Sequence, residues 1–389
     1  MELETFERLL APIGQALLAD VAASAGNESD LALGTRLRRT HDPALVAAAV
    51  TQVHLRGKAR TKLGAAAALM YFTHDALEQA TRASVSDHRA HQLLARGGAA
   101  VTDLGCGIGG DLISFSRAGM ETYGVELDPL RAAMAMANLR ALGLAGSVEV
   151  GRAEDTAPVP GRTTFVDPAR RDGRGRVFQV GGWRPDWGMV TALLDGDAVA
   201  KTMPGIAHAL VPPGVEAEWV SDGGDLVEAC LWGRLLASAR RRATVLPAGA
   251  TLTEADDPGD AAVGSAGAYL YEPDDAVIRA GLVTAVCALT GGRLLDRHIA
   301  YVSADVLVRT PFARAFAVVD EVPYREKALR GALRARDVGT LTIKKRGIQV
   351  SPEQLRGRLA LRGSRPATLV LTRVDGAGRA FLVEPVPRP

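Results

Sequence analysis

A short apolar segment that ends in a cluster of glycines constrains this 389-residue chain more than any other feature. The segment reads VTDLGCGIGG at residues 101–110, with Gly105, Gly107 and Gly109 following the apolar run. Glycine lets a backbone turn sharply from a strand into a helix and lets a ligand approach it closely. We therefore predict a strand, a ligand-binding loop and a helix in this order.

Strands and helices alternate after this loop. Short apolar runs predict strands at 99–105, 122–126, 148–150, 163–167, 197–202, 216–220 and 226–231. Helical spacing predicts helices at 111–118 and 129–142. This alternation indicates an α/β fold with a parallel sheet covered on both faces. The last two strands flank SDGGD at 221–225, which is typical of a hairpin.

The regions on either side have different patterns. Residues 1–95 predict a helical region, with helices that include 43–54, 63–71 and 76–95, the last capped by Thr73 or Asp75. Residues 248–267 are rich in Gly, Asp and Ala and predict a linker. Helices at 276–290 and 325–336 and strands at 299–307, 315–319, 340–344 and 368–372 follow it. We expect three parts: helical at 1–95, α/β at 96–245, and linker plus α+β domain at 246–389.

The cysteines and the N-terminus indicate a compartment. Cys106, Cys230 and Cys287 are far apart, which argues against a disulfide framework and a structural zinc site. The N-terminal MELETFERLL is acidic and amphipathic, unlike a signal peptide, and no apolar run approaches the ~20 residues of a membrane span. We expect a cytoplasmic protein with no metal site and no membrane partner.

Charge is distributed unevenly along the chain. Residues 325–389 contain fifteen Lys/Arg and five Asp/Glu, although the whole chain has a net charge of only +2. The rest of the chain is therefore acidic. A basic C-terminal module on an acidic body favours an anionic partner.

The glycine loop alone does not identify its ligand, because NAD-binding proteins have GxGxxG at the same place. Here the first three glycines are spaced GxGxG, and Asp103 lies two residues before Gly105. A carboxylate at that position repels a pyrophosphate and attracts the ammonium of a methionine moiety. We therefore predict S-adenosylmethionine as the cofactor, bound by Asp103, Leu104, Gly105, Cys106 and Gly107. An NAD-dependent oxidoreductase is the alternative.

Two further acidic positions follow the next strands. Glu126, followed by Leu127, ends the second strand 23 residues after Asp103, where a carboxylate can accept both ribose hydroxyls. This position supports a nucleoside without distinguishing between the two cofactors. Glu154 and Asp155 follow the third strand, and either can contact the adenine amino group.

The loop after the fourth strand reads DPARR at 167–171 and faces the ligand crevice of a doubly wound fold. Methyl transfer requires a nucleophile in line with the sulfonium carbon and a group that accepts its proton or hydrogen bond. Asp167 is the best candidate for that group. Pro168 shapes the loop, and Arg170 and Arg171 can hold a phosphate or an anionic substrate.

The order DLGCGIGGD, GVELDP, AED and DPAR resembles the class I S-adenosylmethionine-dependent methyltransferase superfamily. More narrowly, MYFTHDALEQATRASVSDHRA, DVGTLTIKKRGIQVSPEQLRGRL and ATLVLTR resemble the bacterial methyltransferases with a THUMP-like C-terminal domain. This resemblance implies a Rossmann-like methyltransferase sheet, an N-terminal helical region and a C-terminal α+β THUMP-like domain. Similarity to the trimethylguanosine synthase group implies that Phe72 and Thr73 help to enclose the cofactor.

The fourth motif departs from that of base-methylating relatives. Those relatives often have (Asn/Asp/Ser)-Pro-Pro-aromatic, whereas this chain has Ala169 and Arg170 at the last two positions. The departure argues against base stacking by this loop and against adenine-N6 methylation. DPAR is also similar to the DPPR loop of uracil-C5 RNA methyltransferases, whose cysteine nucleophile has no counterpart that we can identify here.

True THUMP domains bind RNA, so the resemblance implies an RNA partner. Lys344, Lys345 and Arg346, with the basic helix at 325–336, are the predicted phosphate contacts. We predict an S-adenosylmethionine-dependent methyltransferase acting on RNA. The alternatives are a small-molecule or protein methyltransferase, or an inactive nucleoside- or RNA-binding protein. The oligomeric state is left undetermined by the sequence.

Overall fold

The structure is a computed structural model that describes residues 1–24, 26, 28–168, 171–172, 175–176 and 182–387. The chain divides into two compact units. The first contains residues 1–202, 208–215 and 230–237, and the second contains 203–207, 216–229 and 238–389. The three-part division at residues 95 and 245 stays a prediction.

Helices occupy the first part of the first unit, as predicted. They are α1 (Leu3–Leu10), α2 (Pro12–Ser24), α3 (Asp30–Leu37), α4 (Pro43–Leu63), α5 (His74–Gln79) and α6 (Ala83–Ala95). The Asp42 side chain accepts hydrogen bonds from the amides of Ala44 and Leu45 and so begins α4, while Thr73 caps α5.

Two predicted helices of this region are wrong. Residues 63–71 form a single 3-10 turn at Gly64–Ala68 and then an extended segment, because α4 ends at Gly64 with φ +62°. Residues 76–95 form α5 and α6 with a break at 80–82. The break allows the Thr81 hydroxyl to bond to other parts of the unit.

The sheet of the first unit is parallel, as the alternating pattern predicts. Its strands are β1 (Ala100–Leu104), β2 (Glu121–Glu126), β3 (Ser147–Val150), β4 (Thr163–Val166) and β7 (Ala198–Thr202), and two short strands, β5 (Arg171–Asp172) and β6 (Gly175–Arg176), form an antiparallel pair. The strand order is β3-β2-β1-β4-β7, and adjacent strands run parallel. Three helices lie between these strands: α7 (Gly110–Arg117), α8 (Pro129–Ala141) and α9 (Trp187–Leu194).

The strand order changes direction at β1. The chain runs from β1 to β2 and β3 on one side, and from β3 across to β4 and β7 on the other. In such sheets ligands bind outside the carboxyl ends of the strands at this switch point. The glycine loop leaves β1 there.

Buried apolar side chains pack α7 against its neighbours in two clusters. In one cluster, Phe6 and Leu9 of α1 share a core with Leu112 of α7 and Met134 of α8. In a second cluster, α6 packs with Phe115 and Phe165, whose rings meet edge to face with centroids 5.3 Å apart. The helical region therefore belongs to the core of the first unit.

In the second unit a tight turn joins β8 (Glu216–Asp222) to β9 (Asp225–Trp232). Gly223 and Gly224 form that turn with φ of +66° and +94°, the pattern of a two-residue hairpin loop, so the predicted hairpin is confirmed. Parallel to β8 lies β10 (Arg241–Leu246), which pairs antiparallel with β11 (Ala250–Thr253). The last residues of β9 belong to the first unit, where the Gly233 amide bonds to the Ala198 carbonyl at 2.8 Å.

The predicted linker at 248–267 is wrong in its first part. It contains β11 and a 3-10 turn at Glu254–Asp256. The strand is only four residues long, so its composition resembled that of its Gly- and Asp-rich surroundings. The pairing of β11 with β10 is a tertiary feature that this composition does not reveal.

An α+β module completes the second unit, as predicted. Its strands are β12 (Tyr269–Pro273), β13 (Arg293–Asp296), β14 (Ile299–Ala304), β15 (Ala313–Pro323), β16 (Val338–Lys345), β17 (Arg365–Val374) and β18 (Ala377–Pro385), in the order β13-β14-β12-β15-β18-β17-β16. Its helices are α10 (Asp275–Ala280), α11 (Val283–Thr290), α12 (Glu326–Ala335) and α13 (Pro352–Leu359).

One predicted helix of this module is wrong. Residues 276–290 form α10 and α11, because Gly281 takes a left-handed conformation with φ +70° and ends α10. Leu329 and Leu333 of α12 and Leu355 and Leu359 of α13 pack in one core with β16, β17 and β18.

Candidate active site

The glycine loop between β1 and α7 is held against β2. The amides of Gly105 and Cys106 both donate to the Val125 carbonyl, at 2.7 and 3.1 Å. Gly105, Gly107 and Gly109 have φ of +85°, +59° and +83°, a region that other residues rarely adopt. Among the described residues, no atom lies within 4 Å of where a side chain at Gly105 or Gly107 would begin. The loop therefore presents open backbone at the sheet switch point.

Glu126, at the end of β2, is bonded to this loop. One oxygen of its buried carboxylate accepts from the Gly107 amide at 2.9 Å, and the other accepts from the Asp128 amide at 2.9 Å. Arg131 lies 3.2 Å from the second oxygen. A carboxylate has about four acceptor positions, so acceptor capacity remains for a pair of hydroxyls.

Asp103, in β1, is 1% exposed. Burial raises the pKa of its carboxyl well above 3.8, and the negative charges of Asp111, Asp167 and Glu126 raise it further while Arg89 opposes them. Among the described residues no donor hydrogen-bonds to this carboxylate. A cationic group fits such a site, because it would satisfy the acceptors and offset the buried charge.

The neighbours of these carboxylates differ in exposure. Leu104 is buried, and so is Cys106, whose thiol pKa is raised by burial and by Asp103 and Glu126. That environment disfavours a thiolate nucleophile. Leu127, by contrast, is 60% exposed directly after Glu126, so it offers an apolar surface to a ligand beside that carboxylate.

Glu154 and Asp155 lie in a 3-10 turn after β3. Both side chains lie near Arg152, at 3.6 and 3.8 Å, and Asp155 is the more exposed of the two. The amide of Gly151, which precedes this turn, bonds to the Glu126 carbonyl at 3.0 Å. The turn therefore follows the strand end that adjoins Glu126, and contact of either residue with adenine stays a prediction.

Two buried amide side chains hold the segment that contains Phe72 and Thr73. Gln52 of α4 bonds to both the amide and the carbonyl of Phe72, at 2.9 and 2.7 Å. Asn138 of α8 does the same for Tyr71 and also donates to the Ile108 carbonyl of the glycine loop at 2.9 Å. The Phe72 ring is buried in the core, and the hydrogen bonds of Asn138 connect this segment to the glycine loop.

Asp167 follows β4, and its side chain is 33% exposed. Its Oδ2 accepts a hydrogen bond from Lys201 Nζ of β7 at 2.5 Å. Pro168 is buried beside it. Arg170, the third predicted residue of this loop, lies outside the described residues, and Arg171 is described only through the backbone of β5.

From the sequence, Lys201 at the end of its strand could either approach the crevice or form a structural ion pair, whereas the residues connected to it were not predicted. Lys201 Nζ also donates to Thr81 Oγ1 at 2.9 Å, and Thr81 donates to Asp111 Oδ2 at 3.3 Å. Asp111 in turn forms an ion pair with buried Arg89. Two features could have indicated this: Asp111 follows the glycine loop directly, and AKTMPG places a lysine at a strand end.

The predicted RNA contacts lie in the second unit, at the end of β16. Lys344 Nζ bonds to Glu272 at 2.6 Å, and Arg346 lies 3.7 Å from Asp275. Lys345 is exposed. Two of the three predicted residues are therefore engaged with carboxylates of their own unit.

These features together define a class of protein. NAD-binding domains share the sheet order and the glycine loop, so the distinguishing feature is the buried carboxylate of Asp103 where a pyrophosphate would otherwise lie. This buried carboxylate assigns the domain to the class I methyltransferases with a Rossmann-like sheet.

The comparison with known proteins agrees. Two uncharacterised S-adenosylmethionine-dependent methyltransferases, from Mycobacterium tuberculosis strains CDC 1551 / Oshkosh and ATCC 25618 / H37Rv, are each 38% identical over 347 residues, covering 86% of this chain and 95% of theirs. The chain belongs to the S-adenosylmethionine-dependent methyltransferases. It is an enzyme of that family, and S-adenosylmethionine is its cofactor.

Similarity also extends to each end of the chain. The family model described as THUMP domain-like matches residues 313–385, and a domain of unknown function (DUF8688) matches residues 2–59. The crystal structure of a candidate methyltransferase from Porphyromonas gingivalis W83 covers 96% of this chain and 99% of its own, with 23% identity and a TM-score of 0.76. The predicted fold class, including the THUMP-like C-terminal domain, is confirmed.

Two features are absent from the described residues. No helix in that part of the chain combines the length and hydrophobicity needed to cross a membrane. No group of three or more His, Cys, Asp or Glu side chains among the same residues could hold a metal ion.

Proposed function

We propose that the enzyme methylates RNA. The observation that carries this proposal is the match of residues 313–385 to the THUMP domain-like family, in a module whose sequence from 325 onward has fifteen basic and five acidic residues. The resemblance to THUMP domains implies RNA binding, and a basic surface attracts a phosphate backbone.

The exposed charge of this module supports a backbone contact. Lys327 and Arg334 on α12 and Lys345 on β16 are exposed, and no carboxylate among the described residues forms an ion pair with them. They are therefore better phosphate contacts than Lys344 and Arg346, which are paired. Aromatic side chains are scarce here, so we expect recognition through charge and shape more than through base stacking.

At the methyltransferase site, S-adenosylmethionine supplies a methyl group on a sulfonium. We propose that Asp103 and the loop residues Leu104, Gly105, Cys106 and Gly107 hold its methionine part. Glu126 and Leu127 would hold the ribose, either Glu154 or Asp155 the adenine, and the segment of Phe72 and Thr73 would flank it.

Asp167 is the group proposed to act on the nucleophile. Its carboxylate is partly exposed at the crevice, and a carboxylate accepts but does not donate hydrogen bonds when ionised. We propose that it orients the nucleophile by accepting a hydrogen bond from it, with Pro168 and Arg170 completing the loop. This arrangement contributes alignment, which methyl transfer requires.

A direct test uses purified protein, tritiated S-adenosylmethionine and total cellular RNA, with and without ribonuclease. We expect acid-precipitable label that ribonuclease removes and that Asp167→Asn lowers by roughly 10²-fold while S-adenosylhomocysteine still binds. Label in small molecules or in protein that survives ribonuclease would favour the alternative substrates. Full activity of Asp167→Asn would contradict the role of Asp167.

A further inference from the structure

Lys201 lies between the Asp167 carboxylate and the helical region. Its side chain is 11% exposed, and its Nζ lies 2.5 Å from Asp167 Oδ2 and 2.9 Å from Thr81 Oγ1. A lysine that is desolvated to this degree retains its charge only where acceptors surround it. Both of these oxygens are acceptors.

The direction of each hydrogen bond in this group is fixed by chemistry. An ammonium only donates, so Thr81 must accept from Lys201 and use its own hydrogen to donate to Asp111 Oδ2 at 3.3 Å. Asp111 accepts, and its other oxygen pairs with Arg89, which also only donates. The charged members therefore alternate in sign, in the order Asp167, Lys201, Asp111 and Arg89, with the neutral Thr81 hydroxyl between Lys201 and Asp111.

The residues of this group come from separate elements. Asp167 follows β4, Lys201 lies in β7 and Asp111 lies in the first turn of α7. Thr81 lies in the break between α5 and α6, and Arg89 lies in α6 with its guanidinium 5.0 Å from the Phe165 ring centroid. Part of the support for Asp167 therefore comes from the N-terminal helices, outside the α/β sheet.

We propose that Lys201 is a positioning residue for Asp167, and that Thr81, Asp111 and Arg89 hold Lys201 in place. This inference rests on the proposed role of Asp167. One oxygen of Asp167 is committed to Lys201, and the other is left to accept a hydrogen bond from the nucleophile. Because Lys201 is an ammonium, it is not the group that receives the nucleophile's proton.

Charge balance gives Lys201 a second effect. The negative charges of Asp111, Asp167 and Glu126 add to the effect of burial in raising the pKa of Asp103, and Arg89 opposes them. Lys201 offsets the charge of Asp167, and its removal would leave that charge acting on Asp103. Asp103 would then become protonated at a higher pH than in the wild type, and the cofactor site would lose the negative charge of that carboxylate.

The first test needs no methyl acceptor. Calorimetry measures S-adenosylhomocysteine affinity between pH 5 and 8 for the wild type, Lys201→Met, Lys201→Arg and the double variant Lys201→Met/Asp167→Asn. In Lys201→Met we expect the low-pH fall in affinity to move up by roughly one pH unit. Lys201→Arg keeps the charge, and the double variant removes the charge it balanced, so both should return to the wild-type curve.

An unshifted curve for Lys201→Met would overturn the proposal. So would an equal shift in the double variant, because a merely structural defect would not be cancelled by removing the Asp167 charge. These outcomes do not depend on RNA methylation. Failure of the wild type to methylate RNA, with the shift and its cancellation intact, would reject the proposed function while retaining the ion-pair role.

The second test isolates the Thr81 hydroxyl, whose loss perturbs folding less than loss of a buried charge. Thr81→Val removes the hydroxyl and keeps the shape, and Thr81→Ser keeps the hydroxyl. With tritiated S-adenosylmethionine and cellular RNA, we expect kcat to fall about tenfold in Thr81→Val and to be retained within twofold in Thr81→Ser. Equal kcat values in the two variants would overturn the role of Thr81.

Discussion

The Asp103 carboxylate is buried, so its negative charge is energetically unfavourable when no cation lies beside it. Its pKa is raised mainly by burial and then by neighbouring carboxylates. The cofactor ammonium that we propose to lie against Asp103 favours the ionised form, so cofactor binding should release a proton wherever Asp103 is protonated beforehand. This gives cofactor affinity a pH dependence with a defined sign.

We expect S-adenosylhomocysteine affinity to fall as pH is lowered through the raised pKa of Asp103, which lies well above 3.8. Calorimetry from pH 8 to pH 5 measures this, and Asp103→Asn is the control because it has no proton to gain. In that variant affinity should be about tenfold or more weaker at pH 8 and nearly independent of pH. A wild-type affinity that is constant over this range would contradict the assignment.

Asp103→Asn should weaken cofactor binding but stabilise the cofactor-free protein. A carboxyl whose pKa is raised by folding stabilises the folded state below its unfolded pKa, and this contribution is lost as pH rises through the folded pKa. At neutral pH, Asp103→Asn should therefore raise the free energy of unfolding of the cofactor-free protein by about 1 kcal/mol or more. Urea denaturation at pH 7.5 measures it. A destabilised Asp103→Asn would mean that the carboxylate has a structural partner.

Individual residues differed in how far the sequence could predict them. Asp103, Glu126 and Asp167 could be placed at strand ends because each follows a short apolar run, and the structure places them there. Thr81 and Arg89 could not, because their contacts with Lys201 and Asp111 join segments 22 to 120 residues apart. Periodicity within one segment contains no information about such pairs.

At the level of elements, α4, α8 and the glycine loop are joined by buried amide side chains. Asn138 bonds to the amide and carbonyl of Tyr71 and to the carbonyl of Ile108. Its side chain has no exposed surface. An unsatisfied buried polar group costs about 1–3 kcal/mol. Loss of the Asn138 side chain leaves the backbone groups of Tyr71 and Ile108 without this hydrogen-bond partner.

We expect Asn138→Leu to lower the free energy of unfolding by about 2–4 kcal/mol. Gln79→Leu is the matched control, an exposed amide at the end of α5 that should change stability by less than about 0.5 kcal/mol. Urea unfolding followed by circular dichroism measures both. Equal effects of the two substitutions would show that the Asn138 contacts do not support the fold.

Elements were predicted well where their limits are local. Pro43 and Thr73 mark helix starts, and Gly223-Gly224 marks the hairpin, because caps and turns depend on the residues present. The predicted helix at 76–95 failed because its break at Thr81 is stabilised by contacts with Lys201 and Asp111. The strand β11 was missed because only pairing with β10 defines it.

For the whole molecule, the basic charge of residues 325–389 is the property that bears on the partner. Much of this charge is balanced within the second unit, as with Arg336 and Asp320 at 2.7 Å. We propose the exposed Lys327, Arg334 and Lys345 as the phosphate contacts. Each contact to a single strand contributes about 0.7 to the slope of log affinity against log salt.

We expect the triple variant Lys327→Ala/Arg334→Ala/Lys345→Ala to bind RNA about tenfold more weakly at 100 mM salt, with a salt slope lower by roughly 2. Fluorescence anisotropy with a labelled single-stranded RNA, at salt concentrations from 50 to 200 mM, measures both. The control variant Arg38→Ala/Arg39→Ala/Lys58→Ala removes the same charge from exposed positions in the first unit. Equal losses in the two variants would indicate a general charge effect.

We propose that this methyltransferase modifies RNA and that Asp167 acts in the reaction. The most direct measurement is nucleoside mass spectrometry of RNA from cells that lack the gene, complemented with either the wild type or Asp167→Asn. We predict that one methylated nucleoside disappears on deletion and returns with the wild type but not with Asp167→Asn. An RNA nucleoside profile that is identical in all of these cells would contradict the account.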